Sequence, residues 1–124
     1  MNIVDSSGWL EYLGKTDRAC LFKEAIEDVN DLLVPSVIVY EVFKKMAKER
    51  GETMAVDVFE QMQDGQSAEL DEWTAVLAGK ISIGENLGMA DAIIYAITLL
   101  YDATLWTQDA DFKDLPNVKY FAKA

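Results

Sequence analysis

Apolar residues recur along the 124-residue chain at two different spacings, which divide it into short strands and longer helices. Between short apolar runs, apolar residues return every three or four positions, as on a helix that buries one face. The apolar runs predict strands at 2–5, 31–34, 67–70, 103–107 and 117–121. The predicted helical segments are 6–13, 17–29, 36–50, 52–63, 71–83, 89–102 and a short turn at 109–113.

Polar and helix-breaking residues mark the ends of these elements. Ser6 or Ser7 is expected to cap the first helix, and Gly51 is expected to stop the third. Pro35 is expected to close the second strand. Because strands alternate with helices, right-handed crossovers and a mostly parallel sheet are predicted. The chain has no repeat or linker, so residues 1–124 are expected to form one domain.

Composition limits the location of the protein. With 51% hydrophobic residues, the chain can bury a proper core. No apolar run reaches the roughly 18 residues that a membrane helix needs, and the N-terminal residues lack the pattern of a signal peptide. Cys20 is the single cysteine, so no internal disulfide can form. These features predict a cytoplasmic protein.

Charge and missing residue types limit the chemistry. The chain has no histidine, which excludes imidazole acid–base catalysis, and one cysteine, which argues against a zinc site. Its 22 acidic residues give a net charge of −11, unlike the basic footprint of a simple nucleic-acid coat protein. Carboxylates suit Mg²⁺ or Mn²⁺, and an acidic surface favours a basic partner protein.

Four acidic residues are predicted to meet at one edge of the sheet. Asp5 and Asp109 follow predicted strands, and Asp91 lies near the start of the last long helix. Glu41 lies on the helix after the second strand and faces away from that helix's apolar stripe. Ligands of parallel α/β sheets bind beyond the carboxyl ends of the strands. Residues Asp5, Glu41, Asp91 and Asp109 are therefore expected to share one cleft.

Close carboxylates repel one another, and one of them takes up a proton unless a cation intervenes. A divalent cation removes this repulsion and lowers the pKa of a bound water molecule. No histidine is present to activate that water instead. Each acid also has an ordinary explanation taken singly. Asp5, Asp91 and Asp109 could be helix or turn caps, and Glu41 could be a solvated helix residue.

Four segments in order resemble the PIN domain, and specifically the toxin ribonucleases of VapBC toxin–antitoxin pairs: IVDSS, VPSVIVYEV, LGMADAIIYAIT and LWTQDADF. The resemblance spans nearly the whole chain. It implies an α/β fold, a three-layer α/β/α sandwich with a mostly parallel central sheet of four to five strands. It also implies that the acidic quartet Asp5, Glu41, Asp91 and Asp109 binds Mg²⁺ or Mn²⁺.

The same resemblance assigns supporting roles and partners. Ser6 and Thr107 match small hydroxyl positions beside the site, and Asp111 matches a frequent extra acid that acts through water. The family implies hydrolysis of RNA phosphodiester bonds, a homodimer, and a VapB-type antitoxin whose tail blocks the cleft. In the predicted mechanism Asp5, Asp91 and Asp109 are metal ligands, and Glu41 is a ligand or orients the attacking water.

A chain of this charge needs cations to approach RNA. Lys44, Lys45 and Lys48 follow Glu41 at three, four and seven residues, so they are predicted to share its helix face and to bind phosphates. The ordinary alternative is a solvated helix face, in which Glu41 and Lys45 form an i,i+4 pair.

Two other functions compete with the ribonuclease. A receiver-like phosphoacceptor domain has similar length and an acidic magnesium pocket, but here Asp57 lies in a helical pattern and no lysine ends a convincing fifth strand. A catalytically silent, PIN-like scaffold that only binds a partner also fits the sequence, and the high negative charge mildly favours it.

Overall fold

The computed structural model describes residues 1–123, which form five strands and six α-helices in the alternating order that the apolar pattern predicts. The strands are β1 (Asn2–Val4), β2 (Leu33–Pro35), β3 (Gln66–Ala68), β4 (Thr104–Thr107) and β5 (Val118–Tyr120). The helices are α1 (Ser6–Leu13), α2 (Ala19–Glu27), α3 (Ser36–Arg50), α4 (Glu52–Met62), α5 (Glu72–Glu85) and α6 (Met89–Leu100). Short 3₁₀ turns span Val29–Asp31 and Ala110–Phe112.

The strands pair in parallel, which confirms the predicted α/β class, but the predicted single sheet of four to five strands is wrong. The structure has a three-stranded sheet in the order β1-β4-β5 and a two-stranded sheet of β2 with β3. An isolated bridge between Asn2 and Leu32 joins their edges. The bridge joins the first residue of β1 to the residue just before β2.

Local sequence explains most element boundaries. Gly51 lies between α3 and α4 with a φ of 90°, which a residue with a side chain adopts only with strain. The N-cap of α1 is Asp5 rather than Ser6 or Ser7, because its carboxylate accepts a hydrogen bond from the backbone N–H of Ser6 at 2.8 Å. Pro35 is the last residue of β2, where a missing N–H costs least.

The register of the larger sheet determines which residues meet at its carboxyl edge. Val4 of β1 lies opposite Trp106 of β4, and the backbone N–H of Asp5 donates to the Trp106 carbonyl at 3.0 Å. Thr107 of β4 lies opposite Tyr120 of β5. In this register Asp5, the first residue after β1, lies beside Thr107, the last residue of β4.

The core lies against these strands and holds the helices in consecutive pairs, α1 with α2, α3 with α4, and α5 with α6. The close fit is clearest at Gly8 of α1, where an added Cβ would lie 2.6 Å from the Phe22 ring and 2.8 Å from Val4. Among the described residues, no helix is by itself long and apolar enough to cross a membrane. By length and composition α5 and α6 qualify only jointly, as a pair bent by 113°.

Candidate metal centre

An acidic cavity of about 450 Å³ opens beyond the carboxyl ends of β1 and β4. The predicted quartet lies in its wall, so residues that are far apart in the sequence do meet in one place. The lining residues are Asp5, Ser6, Ser7, Glu41, Asp91, Gln108, Asp109, Ala110, Tyr120 and Lys123. Asp5 enters from the end of β1, Glu41 from α3, Asp91 from the first turn of α6, and Asp109 from the loop after β4.

A buried threonine holds the Asp5 carboxylate and the backbone of Asp109. The Thr107 hydroxyl donates to Asp5 Oδ2 at 2.9 Å and accepts from the backbone N–H of Asp109 at 3.0 Å. Thr107 is fully buried and Asp5 is 5% exposed, so both hydrogen bonds are sheltered from water. The loop after β4 is thereby held against the end of β1. Each Asp5 oxygen has a second lone pair left for another ligand.

The cavity wall also contains polar atoms whose hydrogen-bonding capacity is unused. Glu41 Oε1 and the Ser7 hydroxyl oxygen are both buried, and neither has a hydrogen-bond partner within residues 1–123. Leaving a buried carboxylate oxygen without a partner costs free energy. Because both side chains line the cavity, a ligand or ordered water bound there is the partner that would complete them.

The tightest group of acids consists of Asp91, Asp109 and Asp111, each of which offers one carboxylate oxygen within 4.8 Å of the others. Asp111 is exposed at the rim, and its backbone N–H donates to Asp109 Oδ1 at 2.9 Å. This hydrogen bond forms the start of the 3₁₀ turn after β4 and brings the third carboxylate round to the other two.

Proximity without a counter-ion alters the proton affinity of these acids. Burial raises the pKa of Asp91 to about 7, and the negative charges of its neighbours, Asp109 first, add to the increase. Burial also raises the pKa of Glu41, and the charge of Asp5 adds to it. The pKa of Asp5 is raised by burial too, although hydrogen bonds from Thr107 and Ser6 oppose this. In the absence of a cation, the cavity favours a bound proton.

The family model for the PIN domain matches residues 3–118, which is most of the chain. The chain belongs to the PIN domain family. A comparison with curated proteins finds no match.

Solved structures show the same fold as this PIN domain at low sequence identity. A toxin–antitoxin complex from Klebsiella pneumoniae aligns with a TM-score of 0.82 and 19% identity, covering 99% of this chain and 100% of the other. VapC20 from Mycobacterium tuberculosis, a sarcin–ricin loop cleaving toxin, gives 0.77 and 13%, with coverage of 94% and 95%. VapBC2 from Rickettsia felis, bound to a promoter DNA fragment, gives 0.74 and 13%, with coverage of 98% and 97%.

The donor atoms of this PIN domain fit a divalent cation. Four carboxylates and one lysine line the cavity, and carboxylates are the ligands that Mg²⁺ and Mn²⁺ prefer. A cation would give the unpartnered Glu41 oxygen a partner, and it would offset the burial and the neighbouring negative charges that raise the pKa of Asp91. The residues present therefore suit a hard metal ion and offer no soft ligand.

The lysines that were predicted to bind RNA lie elsewhere. Lys44 borders a separate apolar groove, where its Nζ lies 3.4 Å from the Tyr40 hydroxyl. Lys45 pairs with Glu49 at 3.0 Å, and Lys48 is exposed in the last turn of α3. None of the three is among the residues that line the acidic cavity. Their role in RNA binding stays a prediction.

Sequence reasoning overlooked three polar residues in the cavity wall, namely Gln108, Tyr120 and Lys123. Gln108 immediately precedes Asp109 and is 5% exposed, which is unusual for a glutamine. The signal available in the sequence was its position at the end of an apolar strand. Tyr120 and Lys123 reach the cavity only because β5 pairs with β4, and this pairing has no local sequence signature.

Proposed function

We propose that this PIN domain is a Mg²⁺- or Mn²⁺-dependent endoribonuclease that hydrolyses RNA phosphodiester bonds as the cytoplasmic toxin of a VapBC-type pair. The observation that carries the proposal is the convergence of one carboxylate oxygen each from Asp91, Asp109 and Asp111 within 4.8 Å, beside the buried Asp5 and the half-buried Glu41. The similarity in fold to VapBC toxin structures supports the biological role.

The carboxylates would divide the work of holding the cation. Asp91 and Asp109 would be metal ligands together with Asp111 or Asp5. The unpartnered oxygen of Glu41 would bind the cation or orient a water molecule. When bound, the dication supplies positive charge that stabilises the transition state at phosphorus and makes a water molecule more acidic.

The protein's own contribution is a fixed and sheltered arrangement of charge. Thr107 keeps Asp5 and the Asp109 loop in one geometry, which reduces reorganisation during the reaction. Asp91, with its pKa raised to about 7, is placed to hold a proton near neutral pH when the cation leaves.

The toxin role brings two partners. A net charge of −11 and an anionic cavity suit a basic segment of a VapB-type antitoxin. A homodimer is also part of the proposal, and apolar side chains support it: Trp73 and Ile83 of α5 are 82% and 88% exposed. Molar mass by light scattering tests the dimer, and charge-reduced antitoxin peptides test the electrostatic attraction.

The direct test of the proposal is cleavage of single-stranded and hairpin RNA by the purified protein with Mg²⁺, Mn²⁺ or EDTA. Cleavage should need the metal and should be lost in Asp5→Asn and Asp91→Asn. Asp57→Asn is the matched control, because Asp57 is an exposed acid of α4 outside the cavity. Equal cleavage by folded Asp91→Asn, or none by the wild-type protein, would contradict the proposal, and the latter result would favour a partner-binding scaffold.

The predicted role of the α3 lysines has its own test. Reversing the charge of Lys44 and Lys48 should weaken RNA binding and flatten its dependence on salt concentration, because two phosphate contacts are lost. RNA binding measured by fluorescence anisotropy at several salt concentrations checks this. Unchanged binding would leave these lysines as a solvated helix face.

A further inference from the structure

One cationic side chain, that of Lys123, lies in the wall of the acidic cavity. Lys123 is the one basic residue among those that line the cavity. The ion pairs found within residues 1–123 do not include it, although four carboxylates share the same wall. An ammonium group that forms no ion pair within residues 1–123 is available to an anion that enters from outside.

The segment that carries Lys123 is held in place by Arg18. Its guanidinium Nη2 donates to the backbone carbonyls of Phe121 and Ala122 at 3.1 and 3.3 Å, across 103 and 104 residues of sequence. Two carbonyls bound by one planar donor group fix the direction of the chain immediately before Lys123.

Arg18 is itself oriented from the cavity side. Its Nε donates to Gln108 Oε1 at 2.6 Å, and Gln108 Nε2 donates to Glu11 Oε2 at 3.1 Å. Glu11 also lies 3.7 Å from Arg18 Nε as an ion pair. The buried Gln108 thus connects the loop that carries Asp109 to the segment that carries Lys123.

Packing anchors the same segment from its other side. The backbone N–H of Phe121 donates to the Thr107 carbonyl at 2.9 Å, which extends the pairing of β4 with β5. The Phe121 ring lies 5.4 Å from the Phe22 ring and 6.0 Å from the Trp106 ring, between centroids. Lys123 therefore follows two residues that hydrogen bonds and aromatic contacts hold in place.

We propose that Lys123 binds the phosphodiester backbone of the RNA substrate at the edge of the acidic cavity, and that Arg18 and Gln108 are positioning residues for it. The inference rests on the proposed ribonuclease function. A strand that enters an anionic cavity needs a cation at the entrance, and the α3 lysines do not line it. Lys123 supplies that cation without neutralising the carboxylates that would hold the metal.

The test is binding of a mixed-sequence single-stranded RNA oligonucleotide to the Asp91→Asn protein, followed by fluorescence anisotropy between 50 and 200 mM salt, about the usual range for counterion effects. Adding Lys123→Gln should weaken binding about 3–10-fold at low salt and reduce the salt slope by about 0.7, the value for one contact to a single strand. Lys80→Gln on α5 removes the same charge away from the cavity and should change neither quantity.

Arg18→Lys keeps the charge but loses the planar donor group that binds two carbonyls and Gln108. It should lower RNA affinity and the salt slope as Lys123→Gln does, and the double variant should bind no more weakly than Lys123→Gln alone. Circular dichroism melting confirms that each variant is folded.

Two results would overturn the inference. One is equal RNA binding by Lys123→Gln and Lys80→Gln. The other is tighter Mn²⁺ binding by Lys123→Gln with unchanged RNA affinity, since Lys123 would then compete with the cation. Cleavage by the wild-type protein is measured in parallel, so that loss of the proposed function is recognised separately.

Discussion

Two depressions border helix α3 and differ in the chemical character of the residues that line them. The acidic cavity, about 450 Å³, contains Glu41 and the other carboxylates. The apolar groove, about 640 Å³, lies between α3 and α4 and is lined by Ser36, Val39, Tyr40, Phe43, Lys44, Ala47 and Phe59. One helix therefore presents a carboxylate to one depression and aromatic side chains to the other.

Volume does not distinguish these sites, because the residues that line the larger depression include no carboxylate. The difference lies in how polar atoms are held. In the cavity, Thr107 and backbone N–H groups orient the carboxylates, and one buried oxygen of Glu41 is left without a partner. In the groove, the polar residues Ser36, Tyr40 and Lys44 are exposed to solvent. Preorganised charge favours the cavity as the site of the proposed hydrolysis, whereas the groove suits an apolar partner surface.

Substitutions on the two faces of α3 should have unequal effects on RNA cleavage. Glu41→Gln should reduce metal-dependent RNA cleavage about 100-fold or more, a loss typical of one key charged or donor group. Phe59→Ser, in the groove wall, should leave the cleavage rate within about twofold, because the groove holds no reacting group. Rates measured on folded protein check both variants. Similar losses in the two would contradict the contrast drawn between the sites.

Thr107→Val removes the hydroxyl that links the Asp5 carboxylate to the backbone N–H of Asp109, while keeping the shape of the side chain. It should lower Mn²⁺ affinity about 10–100-fold, the usual loss when a residue that orients a metal ligand is changed. It should also lower the free energy of unfolding by about 1–3 kcal/mol, because the buried Asp5 carboxylate loses a donor. Metal titration and urea unfolding measure the two effects, with Thr107→Ser as the control that keeps the hydroxyl. Wild-type Mn²⁺ affinity and wild-type stability in Thr107→Val would show that the Thr107 hydroxyl does not orient the metal ligands.

Most of the fold was predictable because its signals are local. Apolar periodicity located every strand and helix to within a few residues, and Gly51 and Pro35 ended elements as their backbone restrictions dictate. The separation of the strands into two sheets was not predictable, since it depends on which edges meet at the Asn2–Leu32 bridge.

The acidic quartet was predictable for a similar reason, because acids after parallel strands converge at one edge. The surrounding residues were harder to find. Arg18 joins Gln108 to the segment just before Lys123 through hydrogen bonds that span 90 and 103 residues, and no local pattern encodes them. The α3 lysines show the opposite case, in which correct helical spacing did not place Lys44 at the cavity.

The metal-free protein should show an inverted pH dependence that originates in the cavity. The pKa of Asp91 is about 7 when folded and ordinarily 3.8, so the folded state binds more protons between these values. Its contribution to stability is therefore complete below about pH 4 and is lost as the pH rises through 7. The raised pKa values of Asp5 and Glu41 act in the same direction.

Thermal unfolding in EDTA from pH 5 to 8 measures this effect. The wild-type melting temperature should fall with rising pH more steeply than that of Asp91→Asn, and added Mg²⁺ should restore it most at pH 8. If the melting temperatures of the two proteins changed equally with pH, the pKa of Asp91 would not be raised in the folded protein.

The most direct test of the central claim is calorimetric titration of Mn²⁺ into three proteins at pH 7.5. Wild type and Asp57→Asn should bind the ion with the same affinity, while Asp91→Asn should bind at least about tenfold more weakly, because it loses a charged ligand. Equal affinities in all three proteins, or no binding by the wild type, would contradict the claim that these carboxylates form a divalent-metal site.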